Sequence, residues 1–306
     1  MRDAAAIIAT IAGVLLILLV LRDVTHELLH PSGNGDVAQA VMRVLWRAFR
    51  ALGGRRQGVL AMAGPLIFVA VLIGWGALLL LGWALIYWPH VPLEYRYATG
   101  LAAGAGALGR FADAFYVSAL SLSTLGFGDV TPTATWLRLA TTVEAFIGFA
   151  LLTAGISWIG MLYPVLARRR AFSRHVAALG EATARGAGIG QREDGDAAAL
   201  LDALTAQLTM LRADAMHTPI SYYFHDCEQV IALPKALRDA HELAREATRL
   251  GSSSRHAGVT LGILVEDLVS FLASTRLAHH VAGASFEDSL RALEREHQSG
   301  PQNRAR

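Results

Sequence analysis

The sequence predicts an all-α integral membrane protein that ends in a helical soluble domain. Three observations support this fold class. Hydrophobic residues make up 54% of the 306-residue chain, which is more than an ordinary soluble domain carries. Three long apolar runs lie before residue 170, each long enough to cross a bilayer. After that point charged residues and leucines recur at helical spacing, and no alternating strand pattern is seen.

The first apolar run, Ala4 to Leu21, contains no charged residue. At about 1.5 Å per residue it is about 27 Å long, just enough for a bilayer core of about 30 Å. A cleaved signal peptide is the alternative interpretation, but no small-residue cleavage pattern follows the run. We therefore expect a retained membrane helix.

A helix is predicted from Asp36 to Leu52, after a breaker rich in proline and glycine. Arg43, Arg47 and Arg50 share one face of it, at i, i+4 and i+7. This pattern is typical of a basic amphipathic helix that lies in the membrane interface. A voltage sensor would carry more arginines, within an apolar span, so we prefer the interfacial helix.

Two further apolar runs predict membrane-spanning helices. Val59 to Trp88 carries no charge and ends in an aromatic cluster that suits a membrane interface. Trp136 to Ala167 contains only two charged residues, Arg138 and Glu144. The first of these runs is longer than a bilayer core requires, which allows the helix to tilt.

Arginine distribution predicts the orientation. The positive-inside rule places arginine-rich segments in the cytoplasm. Such segments lie between the first two runs and after the third: Arg22, Arg43, Arg47, Arg50, Arg55, Arg56, Arg168, Arg169, Arg170 and Arg174. We expect a multi-pass protein of the plasma (inner) membrane, with its N-terminus outside and its C-terminal domain cytoplasmic. Residues 89–135 are then reached from outside.

The segment from Gly109 to Ser123 is apolar and helix-compatible but too short to cross a bilayer, so it should be re-entrant. It leads into the sequence TLGFGD, Thr124 to Asp129. Glycine tolerates positive φ, so Gly126 and Gly128 allow consecutive carbonyls to face one way. Four such strands around an axis would form oxygen rings that replace the hydration shell of a monovalent cation.

The predicted ligands for the ion are the backbone carbonyls of Thr124, Leu125, Gly126 and Phe127, with the Thr124 hydroxyl as the innermost ring. Gly128 completes the filter. Asp129 would add negative charge at the outer mouth and raise the local cation concentration.

This arrangement resembles the pore domain of tetrameric potassium channels, particularly the bacterial two-transmembrane type. The resemblance covers about Val59 to Leu166. Four positions match the family's usual Thr-Val-Gly-Tyr-Gly-Asp filter, namely Thr124, Gly126, Gly128 and Asp129. Leu125 and Phe127 replace valine and tyrosine, and this leaves selectivity for potassium over sodium open.

The resemblance implies a potassium-selective channel assembled from four copies of the chain in a lipid bilayer. Potassium is then the permeant ion, and no cofactor is expected. Residues 1–57 would hold the membrane helix and basic helix, 58–168 the ion-conducting pore, and 169–306 a cytosolic all-helical domain. A poorly selective monovalent cation channel, or a non-conducting membrane sensor with a helical output domain, are the alternatives.

Two residues of the inner helix carry further hypotheses. Glu144 is an acid inside a span, and such residues are usually functional. It could lie behind the filter and accept hydrogen bonds from Ser118 or Ser121, face the cavity, or be a protonated acid without a role. Gly148 is a candidate gating hinge, although small residues in membrane helices more often serve packing.

The remaining patterns favour structure over chemistry. Leu201, Leu204, Leu208 and Leu211 form a stripe that we expect to pack within the C-terminal domain, with a tetrameric coil as the alternative. The apolar stretch from His256 to Ala273 is short and carries two acids, so a buried core helix is expected rather than a fourth span.

Composition excludes several functions. The single cysteine, Cys227, rules out an internal disulfide framework, and a net charge of +2 does not suit a nucleic-acid-binding surface. The glycines of residues 185–191 follow a predicted helix rather than a strand, so they favour a linker over a nucleotide loop. Adjacent side chains diverge, so residues 225–228 are not expected to bind a metal. We find no catalytic motif and expect no enzyme.

Overall fold

The computed structural model describes residues 2–29, 35–53, 63–101, 103–224, 232–276 and 284–297. These residues are predominantly helical, and the predicted all-α membrane class is confirmed. Four described helices are long and apolar enough to cross a membrane, namely Ala4–Glu27, Ala63–His90, Thr135–Ala184 and Ser252–Thr275. The chain divides into two compact units, residues 1–42 with 68–160 and residues 43–67 with 161–306. The predicted boundaries at residues 57 and 168 stay predictions.

The helices that precede the C-terminal domain follow the expected order. They are α1 (Arg2–Leu29), α2 (Asp36–Gly53), the outer helix α3 (Ala63–Tyr87), the half-helix α4 (Gly106–Leu122) and the inner helix α5 (Thr135–Ala184). The inner helix extends past the predicted end at Ala167, because the alanine- and arginine-rich sequence that follows has high helix propensity. Residues 59–62 of the second apolar run lie outside the described residues.

A small β-ribbon was not predicted. Strand β1 (Tyr95–Tyr97) pairs antiparallel with β2 (Val130–Pro132), with Arg96 opposite Thr131. Strands of three residues are too short to leave an alternating pattern in the sequence. The ribbon ties the segment after α3 to the segment that follows TLGFGD.

Helix α1 packs tightly against the outer helix at two glycines. A Cβ on Gly13 would lie 2.4 Å from the Gly82 carbonyl oxygen, and a Cβ on Gly82 would lie 3.0 Å from the Gly13 carbonyl oxygen. Small residues permit such close backbone approach between membrane helices. The two glycines therefore allow the backbones of α1 and α3 to approach closely.

The second unit contains α6 (Asp194–His217), α7 (Leu233–Ala247), α8 (Ser252–Arg276) and α9 (Phe286–His297), with α6, α7 and α9 packed around α8. The four leucines of the predicted stripe are all buried in this unit of a single chain: Leu201, Leu204, Leu208 and Leu211. This is the expected packing within the domain. The row His225–Glu228 lies outside the described residues.

Helix α8 meets the length and hydropathy of a membrane span, yet its contacts are those of a core helix. Asp267 accepts a hydrogen bond from Arg212 Nε at 2.6 Å, and the Arg212 guanidinium lies 3.8 Å from the ring centroid of Phe271. At its start, the Asp194 carboxylate accepts hydrogen bonds from the backbone N–H groups of Ser253 and Ser254, at 3.1 and 3.0 Å. Charged partners along its length favour the expected core helix.

Candidate functional site

The half-helix α4 ends immediately before TLGFGD. One face of it is buried, including Ala114, Val117 and Ser118. After Leu122 the chain leaves the helix in two tight turns, where Thr124 N–H donates to the Ser121 carbonyl and Leu125 N–H to the Leu120 carbonyl, both at 3.0 Å. The residues that follow are therefore positioned by a half-helix that is buried on one face.

The backbone of TLGFGD alternates between residues with positive φ and residues without it. Thr124, Gly126 and Gly128 have φ values of 59°, 53° and 77°, whereas Leu125 and Phe127 between them do not have positive φ. In an ordinary strand successive carbonyls point to opposite sides. Left-handed backbone at every second residue rotates alternate peptide planes, which favours carbonyls on one common side. An added Cβ on Gly126 or Gly128 would meet nothing within 4 Å, so conformation and not space requires glycine there.

Thr124 is strained in this conformation. Left-handed backbone costs a residue with a Cβ roughly 1–2 kcal/mol, and a β-branched residue there is an outlier. Strain of this kind concentrates at functional sites, where the surrounding structure must impose it.

Asp129 is fixed at the C-terminal end of this segment. Its Oδ2 accepts a hydrogen bond from the Tyr116 hydroxyl at 2.6 Å, and its carbonyl oxygen accepts one from the Ala98 N–H at 2.7 Å. The hydrogen bond from Tyr116 holds the pKa of the Asp129 carboxyl below its usual range. Asp129 is therefore an anion at neutral pH. Sequence reasoning did not find Tyr116, because the two residues are 13 apart and belong to no shared periodicity.

Glu144 is fully buried behind the half-helix. Its Oε1 accepts a hydrogen bond from the Ser118 hydroxyl at 2.5 Å, and its Oε2 accepts one from the Tyr87 hydroxyl at 2.8 Å. One carboxylate thus joins the inner helix, the half-helix and the outer helix. This geometry corresponds to the first of the three interpretations of Glu144. Tyr87, expected in an interface cluster, is itself buried.

Gly148 lies one turn after Glu144 and faces the end of the half-helix. A Cβ on Gly148 would lie 1.9 Å from the Leu122 carbonyl oxygen. The inner helix therefore needs glycine here for packing. A hinge at Gly148 stays a prediction, because close packing is by itself enough to explain why this residue is glycine.

Comparisons with known proteins find similarity over the segment that holds this site. Residues 68–163 match the model of a family described as "Ion channel". The chain is 28% identical over 202 residues to the "Uncharacterized membrane protein YdjJ" of Bacillus subtilis (strain 168), a match that covers 64% of this chain and 57% of that relative. The chain thus spans less than two thirds of the relative's length. No solved structure matches it. The predicted resemblance of this part of the chain to a two-transmembrane potassium channel pore is confirmed by the family match over residues 68–163.

Proposed function

We propose that this protein is the subunit of a homotetrameric, potassium-selective channel that conducts ions passively. One observation carries the proposal. Thr124, Gly126 and Gly128 adopt left-handed backbone in alternation at the end of a half-helix, between two helices of span length. This backbone is suited to presenting carbonyls to a dehydrated cation.

In the proposed pore, the carbonyls of Thr124, Leu125, Gly126 and Phe127 from four chains replace the hydration shell of potassium. The C-terminal end of α4 carries about half a negative charge and favours a cation near it. The Asp129 carboxylate adds charge at the outer mouth and increases the local cation concentration. Conduction of this kind needs no covalent chemistry and no cofactor.

Four copies are required because one chain supplies a quarter of each oxygen ring. The exposed side chains of the candidate filter agree with this assembly. Leu125 is 60% exposed and Phe127 is 67% exposed in the single chain, although both follow a half-helix between two apolar spans. Large apolar side chains there are suited to contacts with neighbouring copies.

We further propose that the N-terminus lies outside the plasma membrane and that residues 169–306 are cytoplasmic. The arginine distribution supports this orientation. Impermeant thiol reagents in right-side-out vesicles test it. In a Cys227→Ser background, a cysteine introduced at exposed Leu93, between α3 and the half-helix, should react from outside. Reaction only after permeabilisation would reverse the orientation.

Reversal potentials in planar bilayers, with potassium on one side and sodium on the other, test the conduction proposal. We expect a reversal potential near that of potassium alone. Equal permeability would instead support the poorly selective cation channel, for which the replacement of tyrosine by Phe127 is the argument. A protein that assembles but passes neither ion would support the membrane sensor.

Gly126→Ala tests the filter itself. Alanine is strained at φ 53°, so we expect potassium flux to be lost while tetramers still form. Gly186→Ala is the matched control, because Gly186 also has positive φ (85°) and open space at its Cβ but lies outside the candidate pore. Flux through Gly126→Ala equal to that of the control would exclude the proposed filter.

A further inference from the structure

Asp23, near the end of α1, is a buried carboxylate within a helix of span length; it is 4% exposed. It accepts hydrogen bonds from the backbone N–H groups of Val37 and Ala38, at 2.8 and 3.0 Å. Both belong to the first turn of α2, whose N–H groups have no partner within the helix. Asp23 therefore caps α2 from another helix, and the positive end of the α2 dipole favours its negative charge.

The same carboxylate reaches the outer helix. Asp23 Oδ2 accepts a hydrogen bond from Trp75 Nε1 at 2.8 Å, and Trp75 is fully buried. One acid thus joins α1, α2 and α3. An acid inside a candidate span is costly to bury, and such residues are usually functional.

Trp75 in turn contacts the inner helix. Its ring stacks on Trp158 of α5, with ring centroids 5.6 Å apart and planes at 26°. Phe68 of α3 also contacts Trp158, with the two ring centroids 4.9 Å apart. One turn earlier, a Cβ on Gly155 would lie 3.1 Å from a methyl group of Leu72. The inner helix is therefore held closely against the outer helix at this level.

A different face of the same part of α5 is exposed and apolar. It consists of Phe146, Phe149, Leu152, Ile156 and Ile159. In the proposed tetramer such a stripe is suited to a hydrophobic constriction, which closes a pore by excluding water. The position of the stripe depends on how α5 is held at Trp158.

We propose that Asp23, Trp75 and Trp158 couple α2 to the inner helix, and that this coupling sets how readily the pore opens. Asp23 and Trp75 are positioning residues: neither touches the permeant ion, and both act through Trp158. This inference rests on the proposed channel function, and it adds a connection between the amphipathic helix and the pore.

Trp75→Phe isolates the connection, because phenylalanine loses the indole N–H but keeps an aromatic ring against Trp158. We expect the open probability in potassium solutions to change by about fivefold or more, the lower range for coupling between sites. Unitary conductance should not change, because the filter is untouched. Trp83→Phe is the matched control, since Trp83 is a buried tryptophan on the same helix whose N–H has no hydrogen-bond partner in the described part of the chain.

A double-mutant cycle of Asp23→Asn and Trp158→Leu provides the second test. In Asp23→Asn, the NH₂ group faces N–H donors that now bind the carboxylate, so this variant weakens the hydrogen bonds at Asp23. We expect the effects on open probability to be non-additive, because both variants interrupt one connection. Additive effects, or an open probability for Trp75→Phe equal to that of Trp83→Phe, would overturn the proposal. Where Asp23→Asn does not assemble, Trp75→Phe decides.

A readout that does not require conduction separates failure of the coupling from failure of the channel function. Cys227 is the only native cysteine, so Ile156→Cys in a Cys227→Ser background reports on the inner helix alone. Coupling predicts that Trp75→Phe changes the rate of thiol labelling at position 156, whereas Trp83→Phe does not. Equal rates would reject the coupling even in a conducting protein. Changed rates in a protein that passes no ion would reject only the channel function.

Discussion

Each of the two units of the chain is stabilised internally by a different kind of interaction. In the first, buried carboxylates link helices: Asp23 joins α1, α2 and α3, and Glu144 joins α3, α4 and α5. In the second, leucines fill the core, and charged pairs such as Arg238–Glu294 lie at partly exposed positions. Lipid is as apolar as a leucine side chain, so burial of leucine does not drive membrane helices together. If residues 169–306 are cytoplasmic, as we propose, water supplies that drive for this part of the second unit.

Glycine allows close backbone packing in both units. At Gly13, Gly82 and Gly148 of the first unit an added Cβ would meet backbone of another segment at 3.0 Å or less. In the second unit, an added Cβ on Gly258 of α8 would lie 2.8 Å from the Ala244 carbonyl oxygen of α7. The contrast between the two units therefore lies in their other contacts, and it predicts that buried carboxylates dominate the stability of the first unit and leucines that of the second.

Glu144→Ala should have the largest effect. Alanine leaves the buried Tyr87 hydroxyl without its acceptor, at roughly 1–3 kcal/mol for an unsatisfied group. The Ser118 hydroxyl also loses its bond to the carboxylate and keeps only the Leu80 carbonyl oxygen, 3.0 Å away. We expect a clear fall in thermal stability in detergent and loss of potassium flux. The control is Glu181→Ala on the same helix, where the side chain is 64% exposed and pairs with Arg185. A change there should stay within about 0.5 kcal/mol. Equal stability of the two variants would contradict the comparison.

Leu204→Ala tests the second unit. Leu204 is fully buried, so its truncation should lower the free energy of unfolding of this unit by roughly 2–5 kcal/mol. Met210→Ala is the control on the same helix, because Met210 is 58% exposed. Denaturant unfolding followed by circular dichroism measures both. A small effect of Leu204→Ala would mean that the leucine stripe does not hold the domain.

Gly148→Ala should have a smaller but diagnostic effect. Its methyl group would overlap the Leu122 carbonyl, and such overpacking costs roughly 1–3 kcal/mol. Gly160→Ala is the matched control, since an added Cβ there meets nothing within 4 Å. A packing role predicts lower thermal stability for Gly148→Ala. A hinge role predicts unchanged stability with altered open probability, so the two measurements together separate the roles.

The elements of this protein were largely predictable, because apolar runs and helical spacing are local signals. The half-helix, the positive φ at Gly126 and Gly128, and Ser118 as a donor to Glu144 agree with sequence reasoning. The other hydrogen bonds between residues far apart in the chain were not predictable from the sequence. From the sequence alone, Tyr87 is expected to be an interface anchor and Asp23 to flank a span. Their partners, Glu144 and Trp75, lie 57 and 52 residues away, and contacts at such separations leave no periodic pattern.

The smallest predicted effect concerns pH at the outer mouth. The hydrogen bond from Tyr116 lowers the pKa of Asp129, so the carboxylate stays charged as the external pH falls below about 3.9, the usual aspartate value. Tyr116→Phe removes that bond, so the pKa of Asp129 should rise toward the usual value. Protonation then occurs at higher pH.

If Asp129 concentrates cations, unitary potassium conductance should decline on external acidification, and Tyr116→Phe should move the midpoint of the decline upward. Single-channel records between about pH 3 and 6 measure the shift. Tyr97→Phe is the control, because its hydroxyl donates to Asp113 and not to Asp129. If both variants move the midpoint equally, the shift results from the loss of any tyrosine hydroxyl and not from the bond to Asp129. No shift in Tyr116→Phe would mean that Asp129 does not set the ion concentration at the mouth. The charge of the α4 helix end would then be the main attraction for cations.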